Sequence, residues 1–371
     1  MPHNLQQQAL SNLEDVFGER MERPVLRDGQ PADPDNPLAL VRPVNDEEVE
    51  LLARLARRYS LPLVALGAGT YPDSERGPDT AGSVLIRFDL MRRIRLPDAP
   101  DELWAEAEPG ALWLELDNGL RIRGKGLAVY PSSAPRATIG GWLALDGLGV
   151  GSFEYGWLHE NVLSVDVVLP AGGRLTVRGE DLQPFVGPAG ERRTTSSSTG
   201  IVVSARLRVR HASTDVPFAG AFGDSEGLVG AVSAIAKASV PLWHLGFLNP
   251  QMSRSRGLGD DHLLFGAYPK ERAEEVEEDL KGVIESSGGG LLGSADAYRV
   301  WAERFFPIAP SRPTPKVLAR EFVSVAKLKD KLASSSRAKR VEAEDGAAVQ
   351  GTVAGSGEAL LLTLDPKEEG Q

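Results

Sequence analysis

The sequence contains no cysteine. Disulfide bonds, a thiol nucleophile, cysteine-ligated zinc and an iron–sulfur cluster held by cysteines of this chain are therefore excluded. Histidine is scarce, with five residues in 371, so few imidazole groups are available as bases. Because the side chains that usually carry redox chemistry are missing, we expect any redox chemistry to come from an organic cofactor.

Long apolar segments and an excess of basic charge are missing as well. No apolar run approaches the roughly 20 residues that a membrane span needs, and the N-terminal stretch MPHNLQQQALSNLEDVFGER lacks the basic and apolar regions of a secretory signal. We therefore expect no membrane span and a cytoplasmic location. The formal net charge of −11 argues against nucleic acid as a partner, since binding phosphates needs a basic face.

What is present is typical of a globular protein with two domains. The hydrophobic fraction is 42% and the charged fraction 25%. Strand and helix patterns alternate up to about residue 212, and one helix is expected to begin at an Asn45 N-cap with Glu48 three residues later. Beyond residue 213, the pattern predicts a mostly helical segment over 218–240 and strands over 242–248 and 262–268, which indicates an α+β second domain.

Two glycine-rich loops are the most informative local features. Gly67-Ala68-Gly69-Thr70 follows a predicted strand, and Thr138-Ile139-Gly140-Gly141 precedes a short helical run. The first loop is neither a P-loop nor a G-x-G-x-x-G motif, and taken alone it is compatible with a plain turn. Because glycine lets the main chain approach a ligand and a helix N-terminus attracts anions, two such loops can bind the two phosphates of one dinucleotide.

These loops belong to an ordered set of segments that resembles a known family. In the same order, the chain resembles the FAD-binding domain of the vanillyl-alcohol oxidase / p-cresol methylhydroxylase superfamily, and within it the glycolate oxidase flavin subunits and D-lactate dehydrogenases. The resemblance covers about the first 210 residues. Besides the two loops, it is carried by Val41-Arg42-Pro43, Pro62-Leu63-Val64, Ala107-Glu108-Pro109-Gly110, Pro131-Ser132-Ser133, Tyr155-Gly156, Asn161-Val162-Leu163 and Gly200-Ile201-Val202.

The resemblance implies an α+β fold and an FAD cofactor. A two-subdomain FAD-binding domain of p-cresol methylhydroxylase type would span residues 1–212, with subdomains of about 1–95 and 96–212. A smaller α+β cap domain for the substrate, shortened at its C-terminus, would span 213–371. The FAD would be noncovalent, because the first loop has no histidine or cysteine for attachment. The implied cofactor-binding residues are Leu66, Gly67, Ala68, Gly69, Thr70, Tyr71, Pro131, Ser132, Ser133, Thr138, Ile139, Gly140, Gly141, Gly149, Tyr155, Gly156, Gly200, Ile201 and Val202.

The resemblance is weaker in the second domain, where the catalytic residues would lie. Trp301-Ala302-Glu303-Arg304 resembles a W-x-x-R element whose arginine would bind a substrate carboxylate; a core tryptophan beside a surface arginine is the alternative. The family's histidine-containing G-H-A-G-D-G-N-x-H segment is replaced by GTVAGSGE at 351–358. No metal is expected, because the remaining candidates, Asp260-Asp261-His262, are adjacent residues that rarely converge on one ion. Glu358 is left as a base or as a solvated hairpin residue, and His244 and His262 are left as bases or structural histidines.

Two functions follow from the resemblance. In the first, the chain is an FAD-linked dehydrogenase or oxidase that oxidises a small 2-hydroxy acid by hydride transfer to FAD. Arg304 would hold the carboxylate, and His244 or His262 would take the hydroxyl proton. In the second, the chain is an FAD-carrying electron-transfer subunit of a redox complex. Its partner would carry iron–sulfur clusters, in keeping with the lost histidines and the absence of cysteine.

Overall fold

The computed structural model describes residues 3–23, 37–69, 81–186, 200–212, 214–305, 317–335 and 347–364. Thr70 and Tyr71 of the first glycine loop lie outside these residues. The chain divides into two compact units: unit 1 comprises Met1–Leu116, Arg136–Asp146 and Val162–Arg208, and unit 2 comprises Asp117–Pro135, Gly147–Asn161 and Val209–Gln371. The sequence-based division at residue 212 stays a prediction, and the two units are described separately.

Unit 1 begins with a four-stranded sheet covered by two helices. Strands β2, β4 and β3 are parallel, and β1 pairs antiparallel with β2 in the order β1-β2-β4-β3. Apolar faces of the helices, including Leu13 and Leu52, form a buried cluster with Val41 and Ile86 of the strands. The elements are α1 (His3–Phe17), β1 (Met21–Glu22), β2 (Ala39–Val41), α2 (Asp46–Tyr59), β3 (Leu63–Leu66) and β4 (Val84–Arg87).

The predicted start of α2 is confirmed by its hydrogen bonds. The side chain of Asn45 accepts a hydrogen bond of 2.9 Å from the Glu48 amide, and the Glu48 carboxylate accepts one of 3.0 Å from the Val44 amide. These bonds satisfy amides at the helix start that have no partner inside the helix. Ser60 ends the helix in the left-handed conformation, with φ of 52°.

A second sheet is antiparallel and has the order β5-β6-β10-β8-β9, with β7 paired to the last three residues of β10. Residues alternate along β10, so that Ile201, Val203, Ala205 and Leu207 are buried on one face. The elements are β5 (Ile94–Arg95), β6 (Trp104–Ala107), α3 (Trp113–Arg121), β7 (Lys125–Leu127), α4 (Ile139–Leu145), β8 (Val162–Val168), β9 (Arg174–Val177) and β10 (Ile201–His211).

Unit 2 is built on a seven-stranded antiparallel sheet with the order β14-β11-β13-β12-β16-β17-β15. Neighbouring residues such as Leu264 and Phe265 belong to different buried clusters, so both faces of this sheet are covered. The elements are α5 (Ser152–Tyr155), β11 (Asp215–Phe222), α6 (Ser225–Ala238), β12 (His244–Leu248), α7 (Pro250–Ser255), β13 (His262–Pro269), α8 (Ala273–Ser286), β14 (Gly290–Leu291), α9 (Ser294–Ala302), β15 (Val317–Ser324), α10 (Leu328–Ser335), β16 (Ala348–Val353) and β17 (Glu358–Leu364).

The segment 218–240, expected to be mostly helical, is helical over Ser225–Ala238, which is helix α6. Its first residues, up to Phe222, instead complete strand β11. The small residues there serve close packing against α8, since a Cβ on Gly220 would lie 3.1 Å from the Ile284 side chain. The predicted strands over 242–248 and 262–268 are confirmed as β12 and β13. Within the described ranges, no helix is both long and apolar enough to cross a membrane.

We expect Asn45→Ala to lower the free energy of unfolding by about 1 kcal/mol, because the amide of Glu48 loses its cap. Urea unfolding of the purified protein measures this change. Asn118→Ala is the matched control, since Asn118 is exposed inside α3 and alanine favours the helix interior. Equal destabilisation by both substitutions would contradict a capping role for Asn45.

Candidate functional site

The two glycine loops of unit 1 pack main chain against main chain. A Cβ placed on Gly67 would lie 3.0 Å from the Cα of Gly141, and a Cβ on Gly140 would lie 2.8 Å from the Cβ of Pro109. The approach at Gly140 leaves no room for a side chain, and the one at Gly67 is tight enough that a Cβ would push the neighbouring main chain aside. The loop after β3 and the start of α4, which the sequence predicts to share one ligand, therefore lie in direct contact.

Hydrogen bonding separates the roles of these two loops. At the start of α4, the amide of Ile139 donates to Ala111 O (2.8 Å) and that of Gly140 to Pro109 O (2.9 Å), while the amide of Gly141 donates to the N-cap Thr138 Oγ1 (3.2 Å). The helix start thus has its first amides occupied. Residues 138–141 support the neighbouring loop by packing, and their own contact with a pyrophosphate stays a prediction.

The amides of the first loop are the ones left available. Among the residues described, none accepts a hydrogen bond from the amides of Gly67, Ala68 or Gly69. Gly69 has φ of 64°, a conformation that favours glycine. Successive main-chain amides in such a turn form a concave donor surface for an anion. This loop, directly after Leu66 at the end of β3, fits a phosphate group of a cofactor.

A second candidate position for contact with a polar ligand is the turn after Tyr130 in unit 2. The amide of Ala134 donates to Pro131 O at 3.0 Å and closes the turn, and Ser132 within it is buried. Ser133 is completely buried, and its hydroxyl has no hydrogen-bond partner among the described residues. An unpaired buried hydroxyl costs about 1–3 kcal/mol, which a polar ligand atom would offset. The turn thus fits the prediction that Pro131, Ser132 and Ser133 contact the cofactor.

The predicted cofactor residues Gly149, Tyr155 and Gly156 form tight loops within unit 2. The Gly149 amide donates to Ser152 Oγ at 2.8 Å, and Tyr155 O accepts a 2.8 Å bond from the Asn161 side chain. Gly156 has φ of 73°, and a Cβ there would collide with Glu160. These contacts give the residues a local structural role, and cofactor contact at them stays a prediction.

Gly200, Ile201 and Val202 lie at the start of β10 in unit 1. Ile201 pairs with Val168 and Val202 with Val167 of β8. Gly200 has φ of 131°, which is rare for other residues, and a Cβ there would lie 2.5 Å from the Val167 side chain. The structure therefore explains why glycine precedes the strand, and the predicted flavin contact is untested.

Arg304 of unit 2 combines a free charge with aromatic packing. Its guanidinium lies 4.4 Å from the ring centroid of Trp301 and 4.0 Å from that of Phe305. Its Nη1 donates to Trp301 O at 2.9 Å, and its Nε donates to the hydroxyl of Tyr130 at 3.4 Å. No carboxylate within the described ranges lies within 4 Å of it. A half-buried, unpaired guanidinium is suited to binding a carboxylate.

The main chain at Arg304 is held by two buried side chains. Arg304 O accepts a 2.9 Å hydrogen bond from Gln350 Nε2, and Glu303 O accepts one from Arg256. Arg256 also donates to Gln350 Oε1 at 2.8 Å, so the two side chains support each other. These bonds satisfy carbonyls beyond the end of α9 and fix the position of Arg304.

His244 lies in β12 near Arg304. Its side chain is 2% exposed and packs on the rings of Trp301 (5.6 Å) and Phe265 (5.7 Å). Burial, reinforced by the positive charge of Arg304, lowers its pKa to about 3, so the imidazole is neutral near pH 7. The amide of Gly151 donates to Nδ1 at 3.4 Å, which assigns the remaining hydrogen to Nε2.

The other two catalytic candidates lie elsewhere in unit 2. Strands β12 and β13 are antiparallel, and His244 pairs with Ala267, so His262 at the start of β13 lies at the opposite end of the strand pair. Burial lowers the pKa of His262. Glu358 accepts a 3.1 Å hydrogen bond from the indole of Trp157. The structure thus brings His244 and Arg304 together and separates His262 from them.

Sequence reasoning missed a buried ion cluster beside this site. Asp215 accepts hydrogen bonds from Arg210 (2.7 Å) and from Arg121, and Arg210 lies 3.7 Å from the ring centroid of Trp243. Burial opposes the charge of Asp215, but the two guanidinium groups outweigh it and hold its pKa below the usual value. The indole of Trp243 donates to Ala128 O at 3.1 Å. No local motif marks the cluster, because Arg121 lies 94 residues before Asp215.

Comparison with known proteins identifies the first part of the chain. Residues 37–178 match the FAD binding domain family. This stretch is thus similar to known FAD-binding domains, and relatives of the chain include proteins named D-lactate dehydrogenase and glycolate oxidase subunit. The chain is 29% identical over 223 residues to a probable mitochondrial D-lactate dehydrogenase of Danio rerio, covering 58% of this chain and 44% of that protein. It is also 29% identical over 191 residues to the glycolate oxidase subunit GlcD of Bacillus subtilis, covering 49% and 39%.

Solved structures share the fold of the chain. A p-cresol methylhydroxylase with substrate bound matches with a TM-score of 0.75 and 16% identity, covering 98% of this chain and 84% of that one. An alkyldihydroxyacetonephosphate synthase matches with a TM-score of 0.71 and 21% identity, covering 96% and 80%. The predicted α+β fold of p-cresol methylhydroxylase type is thus confirmed. The matches to the curated relatives named above span less than half of those proteins' lengths.

We expect Gly67→Ala to weaken FAD binding about tenfold, because the added Cβ forces the first loop away from Gly141 at a cost of about 1–2 kcal/mol. Ultrafiltration of the protein with titrated FAD measures the dissociation constant. Gly282→Ala is the control, since nothing lies within 4 Å of a Cβ at that position in α8. Unchanged FAD affinity in Gly67→Ala would contradict the placement of the phosphate site at this loop.

We expect His244 to make the protein sensitive to acid. Its pKa is about 3 in the folded protein and about 6.5 when unfolded, so the unfolded state binds more protons between these values. Stability is fully present above pH 6.5 and falls as the pH drops towards 3. His244→Gln should flatten the fall in Tm between pH 6.5 and 4.5, while the exposed His211→Gln should not. Parallel Tm curves for all three proteins would contradict the neutral state of His244.

Proposed function

We propose that this protein is an FAD-dependent oxidoreductase that oxidises a small 2-hydroxy acid with a noncovalently bound flavin. The observation that carries the proposal is that two groups of unit 2 lie close together on the ring of Trp301. One is the guanidinium of Arg304, which has no carboxylate partner among the described residues, and the other is the buried neutral imidazole of His244. Arg304 offers the positive charge that a carboxylate needs, and His244 offers an uncharged nitrogen. The relatives named D-lactate dehydrogenase and glycolate oxidase subunit support the choice of a 2-hydroxy acid.

The cofactor half of the proposal rests on residues that can bind a dinucleotide. The amides of Gly67, Ala68 and Gly69 would bind phosphate oxygens, and the hydroxyl of Ser133 would pair with a polar atom of the cofactor. FAD, when bound, supplies the acceptor for the hydride that leaves the α-carbon. A noncovalent cofactor is favoured because the chain has no cysteine and the first loop has no histidine.

The substrate half of the proposal assigns binding and proton transfer to two side chains. Arg304 holds the carboxylate through its outer guanidinium nitrogens, which orients the 2-hydroxyl group. His244 takes the hydroxyl proton on Nδ1, whose present bond to the Gly151 amide is long at 3.4 Å. Because the charge of Arg304 contributes to the low pKa of His244, a carboxylate bound there raises the proton affinity of the imidazole.

A second candidate function is an FAD-carrying subunit that passes electrons to an iron–sulfur partner. It is favoured by the turn between β16 and β17, residues 354–357, which contains no histidine. Glu358, which follows it, is engaged by Trp157 and Ser356. The segment that carries histidines in the family thus has no base or metal ligand in this chain apart from this carboxylate.

Anaerobic reduction of the flavin decides between the two functions. We expect the absorbance of the FAD-loaded protein near 450 nm, roughly where oxidised flavins absorb, to fall when one of a panel of 2-hydroxy acids is added. A flavin that none of them bleaches, but that dithionite reduces, would reject the enzyme and favour the subunit. A protein that takes up no FAD would contradict both.

We expect Arg304→Gln to raise the KM of the reactive 2-hydroxy acid about 10- to 100-fold, since hydrogen bonds to a charged group contribute about 1.5–3 kcal/mol. Steady-state kinetics with an artificial electron acceptor measures the change. Arg299→Gln in α9 is the matched control, because Arg299 is exposed and its side chain bonds only to Gly257 O within the described ranges. An equal KM in both variants would remove Arg304 from the substrate site.

A further inference from the structure

Tyr130 is a buried phenol held in a fixed position beside Arg304. Its main chain forms an isolated bridge with Val150, with hydrogen bonds of 3.0 and 2.7 Å in the two directions. Its side chain is 1% exposed, and its ring lies 6.1 Å from both Trp243 and Phe305. The backbone and two aromatic neighbours therefore determine where the hydroxyl points.

The hydrogen bonds at this hydroxyl leave donors without acceptors. The phenol oxygen accepts the Nε hydrogen of Arg304, and so its own hydrogen is available as a donor. In the part of the chain that the structure describes, nothing accepts that hydrogen, and nothing accepts from Nη2 of Arg304. Two neighbouring donors without acceptors, one on a buried phenol and one on a half-buried guanidinium, are suited to an anionic ligand atom.

Burial keeps the phenol of Tyr130 in its donor form. Burial raises the pKa of Tyr130, and this effect outweighs the opposing charge of Arg304. The nearby carboxylates are engaged elsewhere, since Asp215 binds Arg210 and Arg121, and Asp117 binds Arg121. The pair of Tyr130 and Arg304 thus presents positive charge and hydrogen-bond donors without a competing carboxylate from these two residues.

We propose that the hydroxyl of Tyr130 and Nη2 of Arg304 together bind one carboxylate group, which makes Tyr130 a substrate-binding and specificity-determining residue. The pair would discriminate a carboxylate from the corresponding uncharged amide. A carboxylate has two oxygens, one for the Tyr130 hydroxyl and one for Nη2 of Arg304, whereas an amide has one oxygen and would place its N–H donors against the second of these donors. This inference deepens the proposed function and rests on it only for the choice of 2-hydroxy acids as the ligands.

The test measures binding without turnover. Isothermal titration calorimetry of the FAD-loaded protein uses 2-hydroxy-2-methylpropanoate, which has no hydrogen on its α-carbon and cannot donate a hydride, and the amide of the same acid. We expect the carboxylate to bind, the amide to bind at least tenfold more weakly, and Tyr130→Phe to weaken carboxylate binding about tenfold. The matched control is Tyr268→Phe, because Tyr268 is also buried but donates to Glu277 at 2.9 Å.

The outcomes separate this inference from the proposed function. Carboxylate binding that Tyr130→Phe leaves unchanged, or a wild-type protein that binds amide and carboxylate equally or binds neither, would overturn the inference. Bleaching of the flavin by a 2-hydroxy acid would still support the proposed function in those cases. Conversely, Tyr130→Phe can weaken carboxylate binding while no 2-hydroxy acid reduces the flavin. That combination would leave the inference standing and reject the proposed function. FAD content and Tm verify that each variant is folded.

Discussion

The carboxylate of Asp215 binds two guanidinium groups in the interior of unit 2, and the candidate substrate site depends on this cluster. One of them, Arg210, is pressed against the face of Trp243. A buried ion pair of this kind contributes little net stability, because desolvation offsets the attraction, but removal of one partner is costly. Its effect is therefore to fix geometry. Trp243, held also by its bond to Ala128 O, forms a rigid wall for Tyr130 and Trp301.

Three arginines of unit 2 pack on aromatic rings but differ in whether they bind a carboxylate. Arg121 and Arg210 lie on an aromatic ring and share a carboxylate, whereas Arg304 lies on two aromatic rings with no carboxylate among the described residues. Aromatic faces stabilise a cation by roughly 0.5–2 kcal/mol and leave its N–H groups free at the edge. Stacking thus holds Arg304 in place while it keeps the donors that an anionic ligand requires.

Features that depend on neighbouring residues could be predicted from the sequence, and those that depend on distant residues could not. The cap at Asn45 is local, and an ordered set of short segments was enough for the resemblance that predicted the FAD-binding fold. The boundary between β11 and α6 was not predicted, because the small residues of β11 serve packing against α8, which is far along the chain. Tyr130 was missed, although it directly precedes the turn of residues 131–133, because its partner Arg304 is 174 residues away.

The proposed cofactor contacts and the proposed substrate contacts differ for a chemical reason. The proposed cofactor contacts come mainly from main-chain amides, which every residue other than proline has. Glycine is favoured where two segments approach closely, as at Gly67 and Gly140, or where φ is positive, as at Gly69. Such a site requires glycines at a few positions and allows most other residues to differ between relatives. Its motifs can therefore be recognised at low sequence identity. The proposed substrate contacts come from the side chains of Tyr130, His244 and Arg304, which three separate segments contribute. Their chemistry changes with single substitutions, so the proposed substrate contacts can differ between proteins that share the proposed cofactor contacts.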